Sequence, residues 1–244
     1  MKLILNYSTD PAFNLAAEEY LLNTAQEPLC MLWRNDRAVV VGKNQDTLAE
    51  IDQAYAQARG IRVHRRLTGG GAVYHDLGNV NFTLIEPEAQ GHFNDYAHFT
   101  ADLIAFLTAL GVDARLNDRN DILVDNLKIC GNAQCVMNGR VLHHGCILFD
   151  SNLTILSNVL KPKKGRGIAS VASRVTNIRG YVQKSADEFL DAFVCYIKEK
   201  YNCAGYDFTA EEQLFIQKLA DEKYNTREWN YGCSPDWSWK TSPE

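Results

Sequence analysis

Three consecutive glycines, Gly69, Gly70 and Gly71, sit inside the run RRLTGGGAVYHDLGN from Arg65 to Asn79, and no other stretch restricts the fold as much. Backbone without Cβ atoms turns through conformations that other residues avoid and lets a ligand or another segment come close. Two arginines precede the triplet, the pair His75-Asp76 follows it, and β-prone residues flank it at 61–66 and 72–74. Such a turn either reverses the chain or cradles an anion. Fixed positive charge beside it favours the anion. The run matches neither common nucleotide loop, because no Lys-Ser or Lys-Thr follows the glycines and no Gly-x-Gly-x-x-Gly opens a helix. A nucleotide bound here is bound in another fold.

Composition narrows the partners. The 244 residues, 46% hydrophobic and 23% charged, suit one soluble domain with a substantial core. A net charge of -5 argues against coating nucleic acid, which needs a basic face. No apolar run approaches the roughly 18 residues of a membrane span. Met1–Tyr7 lacks the apolar core of a signal peptide. The expectation is a cytoplasmic chain that begins with a strand and engages neither nucleic acid nor membrane. The seven cysteines are scattered without Cys-x-x-Cys pairs and read as reduced, buried thiols rather than a zinc site.

Along the chain, Phe13 to Leu22 has helical spacing with Glu18 and Glu19 facing outward. Cys30–Arg34 and Ala38–Gly42 read as strands separated by the turn residues Asn35-Asp36, and a helix is expected from about Ala49 to Arg59. Val80–Ile85 alternates like a half-buried strand. Phe99–Leu110 reads as a helix stopped by Gly111. Strands follow at Asp121–Val124, Leu127–Gly131 and Arg140–Phe149, the last after the hairpin signal Asn138-Gly139. Lys161–Gly167 is a basic, breaker-rich segment expected to be an exposed, mobile loop. Helices at Phe189–Tyr201 and Glu211–Lys223 precede an aromatic, turn-rich end, Trp229 to Trp237. With no repeat and no linker, the pattern predicts one α+β domain spanning residues 1–244.

Several residues carry potential chemistry. Lys128, between Leu127 and Ile129, either lies on the solvent face of a strand or points into a cleft, where its compact charge suits a phosphate or carboxylate. Asp121 is either a turn residue or an oxygen ligand for Mg²⁺. His143 and His144 point to opposite faces of a strand, so they do not share one metal easily. Cys130, placed two residues after Lys128 on the same face, is either a structural thiol or an acyl-accepting nucleophile whose thiolate Lys128 stabilises.

The run from Arg65 to Asn79 resembles the signature of the lipoate-protein ligase A family, which shares a fold with biotin-protein ligases and octanoyltransferases. The resemblance extends in order through Trp33–Asn35, Arg119–Asp121, Lys128–Ala133, His143–Gly145, Arg166–Asn177 and Glu228–Gly232, and so covers nearly the whole chain. It implies an α+β fold of mixed, largely antiparallel sheets flanked by helices. It also implies a two-step reaction. Lipoate and ATP give lipoyl-AMP, and the lipoyl group then passes to a lysine of a carrier domain such as a 2-oxoacid dehydrogenase E2 subunit or the glycine-cleavage H protein.

Carried over by position, the resemblance implies that Arg66 and Gly71, Ala72, Val73 and Tyr74 contact ATP, and that Lys128 contacts both acyl carbonyl and phosphate. It extends the ATP and lipoyl-AMP contacts to Gly70, Asn79, Asn120 and Asp121, and to Gly131, Ala133 and His144. Asp121 falls near Mg²⁺. The segment with Gly167, Ile168, Ser170 and Val171 falls on a loop that closes over the adenylate and keeps water from a mixed anhydride.

Two departures stand out. The smaller C-terminal accessory domain of well-known bacterial ligases is not expected here, because the chain reaches Glu244 soon after the Trp-Asn-aromatic-Gly segment. A separate accessory subunit for activation, or a transferase role, is the corresponding expectation. Cys130 occupies a position where the family often has serine, which leaves a cysteine-thioester lipoyl or octanoyl transferase as one alternative and a non-catalytic lipoate or lipoyl-domain binder as another.

Overall fold

In the computed structural model, residues 1–163, 165 and 167–232 are described. Lys164 and Arg166 of the basic segment, and the end from Cys233 through Trp237 to Glu244, lie outside the described residues. In chain order the strands are β1 (Lys2–Asn6), β2 (Leu29–Trp33), β3 (Ala38–Val41), β4 (Arg62–Arg65), β5 (Val73–His75), β6 (Asn79–Pro87), β7 (Arg115–Leu116), β8 (Asp121–Val124), β9 (Leu127–Met137) and β10 (Arg140–Leu148). The helices are α1 (Pro11–Thr24), α2 (Thr47–Glu50), α3 (Gln53–Ala58), α4 (Tyr96–Ala109), α5 (Leu153–Val159), α6 (Ala186–Tyr201), α7 (Ala210–Leu219) and α8 (Arg227–Tyr231). A single π turn, Ala220–Tyr224, continues α7.

Among the described residues the strands form two sheets, one seven-stranded in the order β1-β2-β6-β10-β9-β8-β7 and one three-stranded in the order β4-β3-β5. Only the β1/β2 and β3/β4 pairs are parallel, so the mixed, largely antiparallel α+β expectation holds. Both tight hairpins follow from local chemistry. Asp125-Asn126 and Asn138-Gly139 adopt positive φ at both turn positions, as a right-twisted hairpin needs. The strands expected on either side of Asn35-Asp36 form, but β2 joins the large sheet and β3 the small one. The helix expected across 49–59 is broken in two, because Asp52 accepts the N–H of Tyr55 and starts a new helix.

Aromatic residues of α4 and α6, among them Phe106, Phe189 and Phe193, fill one side of the large sheet against Phe82 and Phe149. The other side packs on α1 and the small sheet through Leu15, Leu22, Met31, Trp33 and Val40. A third cluster, with Val39, Val41, Ile51, Tyr74 and Val159, lies beneath the small sheet. Because both sides are covered, β6 is buried on both faces through most of its length rather than half-buried. The same covering corrects the outward placement of two acids on α1. Glu18 is 3% exposed and bonded to Thr83 and His144, and Glu19 pairs with Lys223 and Tyr224.

Within the small sheet, Gly42, just after β3, backs directly onto the carbonyl of Gly70 in the connection from β4 to β5. A side chain at Gly42 would be driven into that carbonyl. Gly42→Ala is expected to lower stability by roughly 1–3 kcal/mol, the ordinary cost of overpacking, and the urea midpoint of unfolding measures it.

Candidate functional site

Strand alternation and register build the floor of a cleft on the α1 side of the large sheet. Thr83 of β6 lies opposite His144 of β10, which lies opposite Ala133 of β9; one step along, Trp33, Asn81, Cys146, Gly131 and Asp121 form a parallel row across five strands. The glycine turn and residues 168–173 form the walls, enclosing about 510 Å³.

A β-bulge decides what Lys128 does. Ile122 pairs with Cys130 and Leu123 with Lys128, so Ile129 is an extra residue in β9. The extra residue breaks the two-residue alternation. Ile129 and Cys130 both enter the apolar core, while the amine of Lys128 turns into the cleft, 2.8 Å from Asp121 Oδ1. Cys130 and Lys128 therefore do not share a face, contrary to the sequence reading. The Lys128 backbone is anchored as well, its N–H donating to Arg174 O and its carbonyl accepting from Thr176 N. Gly131 leaves the space the amine occupies, since a Cβ there would lie 2.8 Å from Lys128 Nζ.

Arg66 shapes the opposite wall. Its Nε donates to Thr68 Oγ1, Nη1 to Val40 O, and Nη2 to Gly69 O and Gly71 O, which commits most of its donors to the glycine turn. Burial pushes its guanidinium down to about 10, still charged at neutral pH. Gly70 is left-handed at φ 86, as the turn requires. Arg65 is directed elsewhere, its guanidinium bonded to the 42–47 segment and to Trp229 and Asn230. Ser170 closes the turn from outside. Its Oγ accepts the N–H of Ala72 at 2.8 Å, and Gln45 and Glu50 hold its segment in place.

A buried relay joins floor to wall. Trp33 Nε1 donates to Thr83 Oγ1, which donates to Glu18 Oε1, and the same oxygen takes the Nδ1 side of His144 at 2.8 Å. His144 Nε2 in turn meets Thr68 Oγ1 at 2.8 Å. The pattern is satisfied with the His144 proton on Nδ1, so that Thr68 accepts from Arg66 and donates to His144. His143, on the opposite face, stacks on Phe99 and bonds Gln134.

The cleft brings together Arg66, Gly70, Gly71, Ala72, Val73, Asn120, Asp121, Lys128, Gly131, Ala133, His144, Ile168, Ser170 and Val171. Three expected residues fall outside its lining. The Tyr74 side chain is buried in the core beneath the small sheet. Asn79 is turned inward, where its side chain accepts the Asp76 N–H and donates to Cys146 Sγ. Gly167 packs against Asn44, with φ 96.

Sequence reasoning passed over Glu18, Thr68, Asn81, Tyr96 and Cys146, and it took His75, here 4% exposed, for an exposed residue beside the turn. The available signal was polarity at alternate positions, Asn81 and Thr83, of an otherwise apolar strand. His75 Nε2 and both polar atoms of Asn81 are buried without a hydrogen-bond partner among the described residues. They border the apolar end of the cleft, where Leu15, Trp33, Val40 and Val73 converge. Unpaired buried polar atoms are costly, and these belong to two residues of the cleft lining. Since Asn35 Nδ2 donates to His75 Nδ1, the His75 proton sits on Nε2. Burial, then the neighbouring Arg66 and His144, push this histidine down to about 3. Burial likewise pushes the Cys146 thiol up to about 12 and holds Cys130 well above the ordinary range.

His64, His75 and His143 are all held below the usual imidazole range, chiefly by burial, and so are neutral in the folded chain. Below about pH 6.5 the unfolded chain binds protons that these sites refuse. Stability therefore falls as pH drops through that window, by up to about 1.4 kcal/mol per pH unit for each such histidine. Urea midpoints at about pH 7 and about pH 5 measure the slope, and His75→Gln is expected to make it shallower.

The family model for the lipoyl protein ligase A/B catalytic domain matches residues 10–198. Lipoate-protein ligase 1 of Staphylococcus aureus is 39% identical over 98% of this chain and 76% of that protein. Among solved structures, protein Ta0514 of T. acidophilum with bound lipoic acid superposes at a TM-score of 0.81 and 30% identity, covering 95% of this chain and 98% of that one. Lipoate-protein ligase A bound with ATP gives a TM-score of 0.79 and 30% identity over 95% and 98% of the two chains. A bi-partite lipoate protein ligase from Thermoplasma acidophilum, studied with its E2 lipoyl domain, gives 0.80 and 29% over 95% and 96%.

Proposed function

The chain belongs to the lipoyl protein ligase A/B catalytic-domain family, and on that premise we propose that its cleft joins lipoate to ATP and then delivers the lipoyl group to a lysine of a lipoyl domain. The observation that carries this reading is the cleft itself. It has a cationic amine and a carboxylate at one end, an apolar end bordered by Trp33, and a glycine turn between them. In the first step a lipoate carboxylate oxygen attacks the α-phosphorus of ATP and pyrophosphate leaves. In the second the carrier amine attacks the acyl carbonyl and AMP leaves. Negative charge builds on phosphate oxygens in the first step and on the acyl oxygen in the second. The Lys128 amine serves both, because its strand is anchored by residues 174–176 and Asp121 holds it in the cleft. Ala72 N–H is occupied by Ser170, so the turn contributes mainly shape and close approach.

Mg²⁺ suits the donor set as an ion carried by ATP. Asp121, with Asn120 beside it, supplies hard oxygen at the cleft mouth, and no trio of metal-ligating side chains lies in the cleft among the described residues. Bound there the ion would screen the triphosphate. Ile168 and Val171 are more than half exposed at the rim, where they are available to cover an adenylate against water. The thioester alternative draws no support from the thiols. Cys130 is in the core, and the Cys146 thiol is protonated at neutral pH.

E2 domains of 2-oxoacid dehydrogenases and glycine-cleavage H protein are the proposed acceptors. Among the described residues no helix is long and apolar enough to cross a membrane. Purified protein given lipoate, Mg-ATP and an apo lipoyl domain, with and without a separate accessory protein, should add one lipoyl mass to the carrier lysine. Unchanged carrier mass in both arms would overturn the assignment. Lys128→Ala is expected to slow adenylate formation and transfer alike by at least about 100-fold in single-turnover assays, as removal of a charge-stabilising donor does.

The unpaired His75 N–H and Asn81 amide beside the apolar end suit a dithiolane, whose sulfurs accept weak hydrogen bonds, better than a terminal methyl. Asn81→Leu should therefore narrow the kcat/KM preference for lipoate over octanoate by about 10-fold, on the scale of a lost buried hydrogen bond, without lowering stability.

A further inference from the structure

Away from the cleft, three side chains converge that the reaction leaves unused. Glu86 stands near the end of β6, His92 in the following connection, and His98 in the first turn of α4. His92 Nδ1 lies 2.9 Å from Glu86 Oε2, and His98 Nε2 lies 3.1 Å from the same oxygen. The two imidazoles face each other with ring centroids 3.7 Å apart. One ligand atom from each residue falls within a 4.8 Å sphere of mutual separation.

We propose that Glu86, His92 and His98 form a binding site for a divalent transition metal of the zinc class. Two imidazole nitrogens and one carboxylate are the donor set that borderline cations such as Zn²⁺ and Co²⁺ select, and Ca²⁺ and Mg²⁺ do not. The carboxylate contacts are already in place. Nitrogen and oxygen ligands about 2.0–2.1 Å from a tetrahedral ion are about 3.3 Å apart; the two contacts to Glu86, at 2.9 and 3.1 Å, are within a few tenths of an ångström of that, and side-chain rotation brings the two nitrogens, within 4.8 Å of each other, to the same spacing. Three protein ligands leave a fourth position for water. Glu86 is held at 13% side-chain exposure and the histidines at 31% and 36%, so an ion enters from solvent yet meets a preformed carboxylate. Binding takes place at neutral imidazole nitrogens and displaces any proton that they share with Glu86.

The site ties together a piece of the chain that also shapes the cleft. Phe99 packs edge-on against both imidazoles and stacks on His143 at 4.8 Å. Between the two ligand histidines, the N–H of Asn94 donates to Gln134, and Tyr96 lines the cleft together with Gln134. A metal bridging β6, the connection and α4 therefore clamps the segment that presents Tyr96. Its role is to hold that wall, with no part in bond making.

The test uses the untagged full chain freed of metal by a chelator. Zinc is titrated by calorimetry, and Co²⁺ by absorbance. One equivalent of zinc is expected to bind, and His92→Gln, His98→Gln and Glu86→Gln should each weaken it by at least about 10-fold. Cobalt should show d–d bands without the intense thiolate charge-transfer band that cysteine ligation produces. Amide exchange at residues 92–96 should slow with zinc in the native chain and not in the two histidine variants. The histidine variants should keep their lipoylation activity with Mg-ATP in the absence of zinc, which confirms that they fold. Undiminished zinc affinity in the variants, a thiolate band, absence of saturable binding, or exchange that zinc leaves unchanged would each overturn the proposal.

Discussion

The guanidinium of Arg66 is the interaction on which the site depends. It is buried between the sheets, where it gathers the carbonyls of Val40, Gly69 and Gly71 and the hydroxyl of Thr68. A glycine turn has no side chains with which to hold itself, and its backbone entropy favours many shapes. Charge-assisted hydrogen bonds to its carbonyls select one. Thr68 then passes the constraint to His144 and Glu18, and so to the floor of the large sheet. The turn is thus indexed against the strands that carry the reactive groups. Such positioning is what a cleft needs if charge is to be stabilised without reorganisation.

The division of labour within the cleft follows from burial. Arg66 and Arg65 commit most of their donors to backbone carbonyls and hydroxyls and so hold the turn and the 42–47 segment in place. Lys128 shares its amine with Asp121 at a partly open position, where an incoming phosphate can compete for it. A compact ammonium on a flexible stem can follow charge from phosphate to acyl oxygen in a way that a guanidinium fixed by several carbonyls cannot. At the other end the lining is apolar, with Leu15, Trp33, Val40 and Val73, and carries the unpaired polar groups of His75 and Asn81.

Much of this was legible in advance where chemistry is local. The hairpins at 125–126 and 138–139, the helix over 96–109 and the glycine turn are set by residues adjacent in the chain. Motif order identified the family, and the cleft gathers 14 of the residues the motifs pointed to. What escaped had non-local causes. Glu18 was read as exposed because an acid in an apolar helix ordinarily faces water; its partners, Thr83 and His144, lie 65 and 126 residues away. Tyr74 belongs to a motif segment, yet strand alternation turns its ring into a different core.

By itself the sequence determined the elements, the family and the residue types of the site, because turn propensity, periodicity and motif order all act over short distances. Tertiary structure alone decided which of those residues meet. One inserted residue, Ile129, separates Cys130 from Lys128, sending the thiol into the core and the amine into the cleft. That choice rests on the register with β8 and on the anchoring by residues 174–176, contacts that appear only when the sheet assembles.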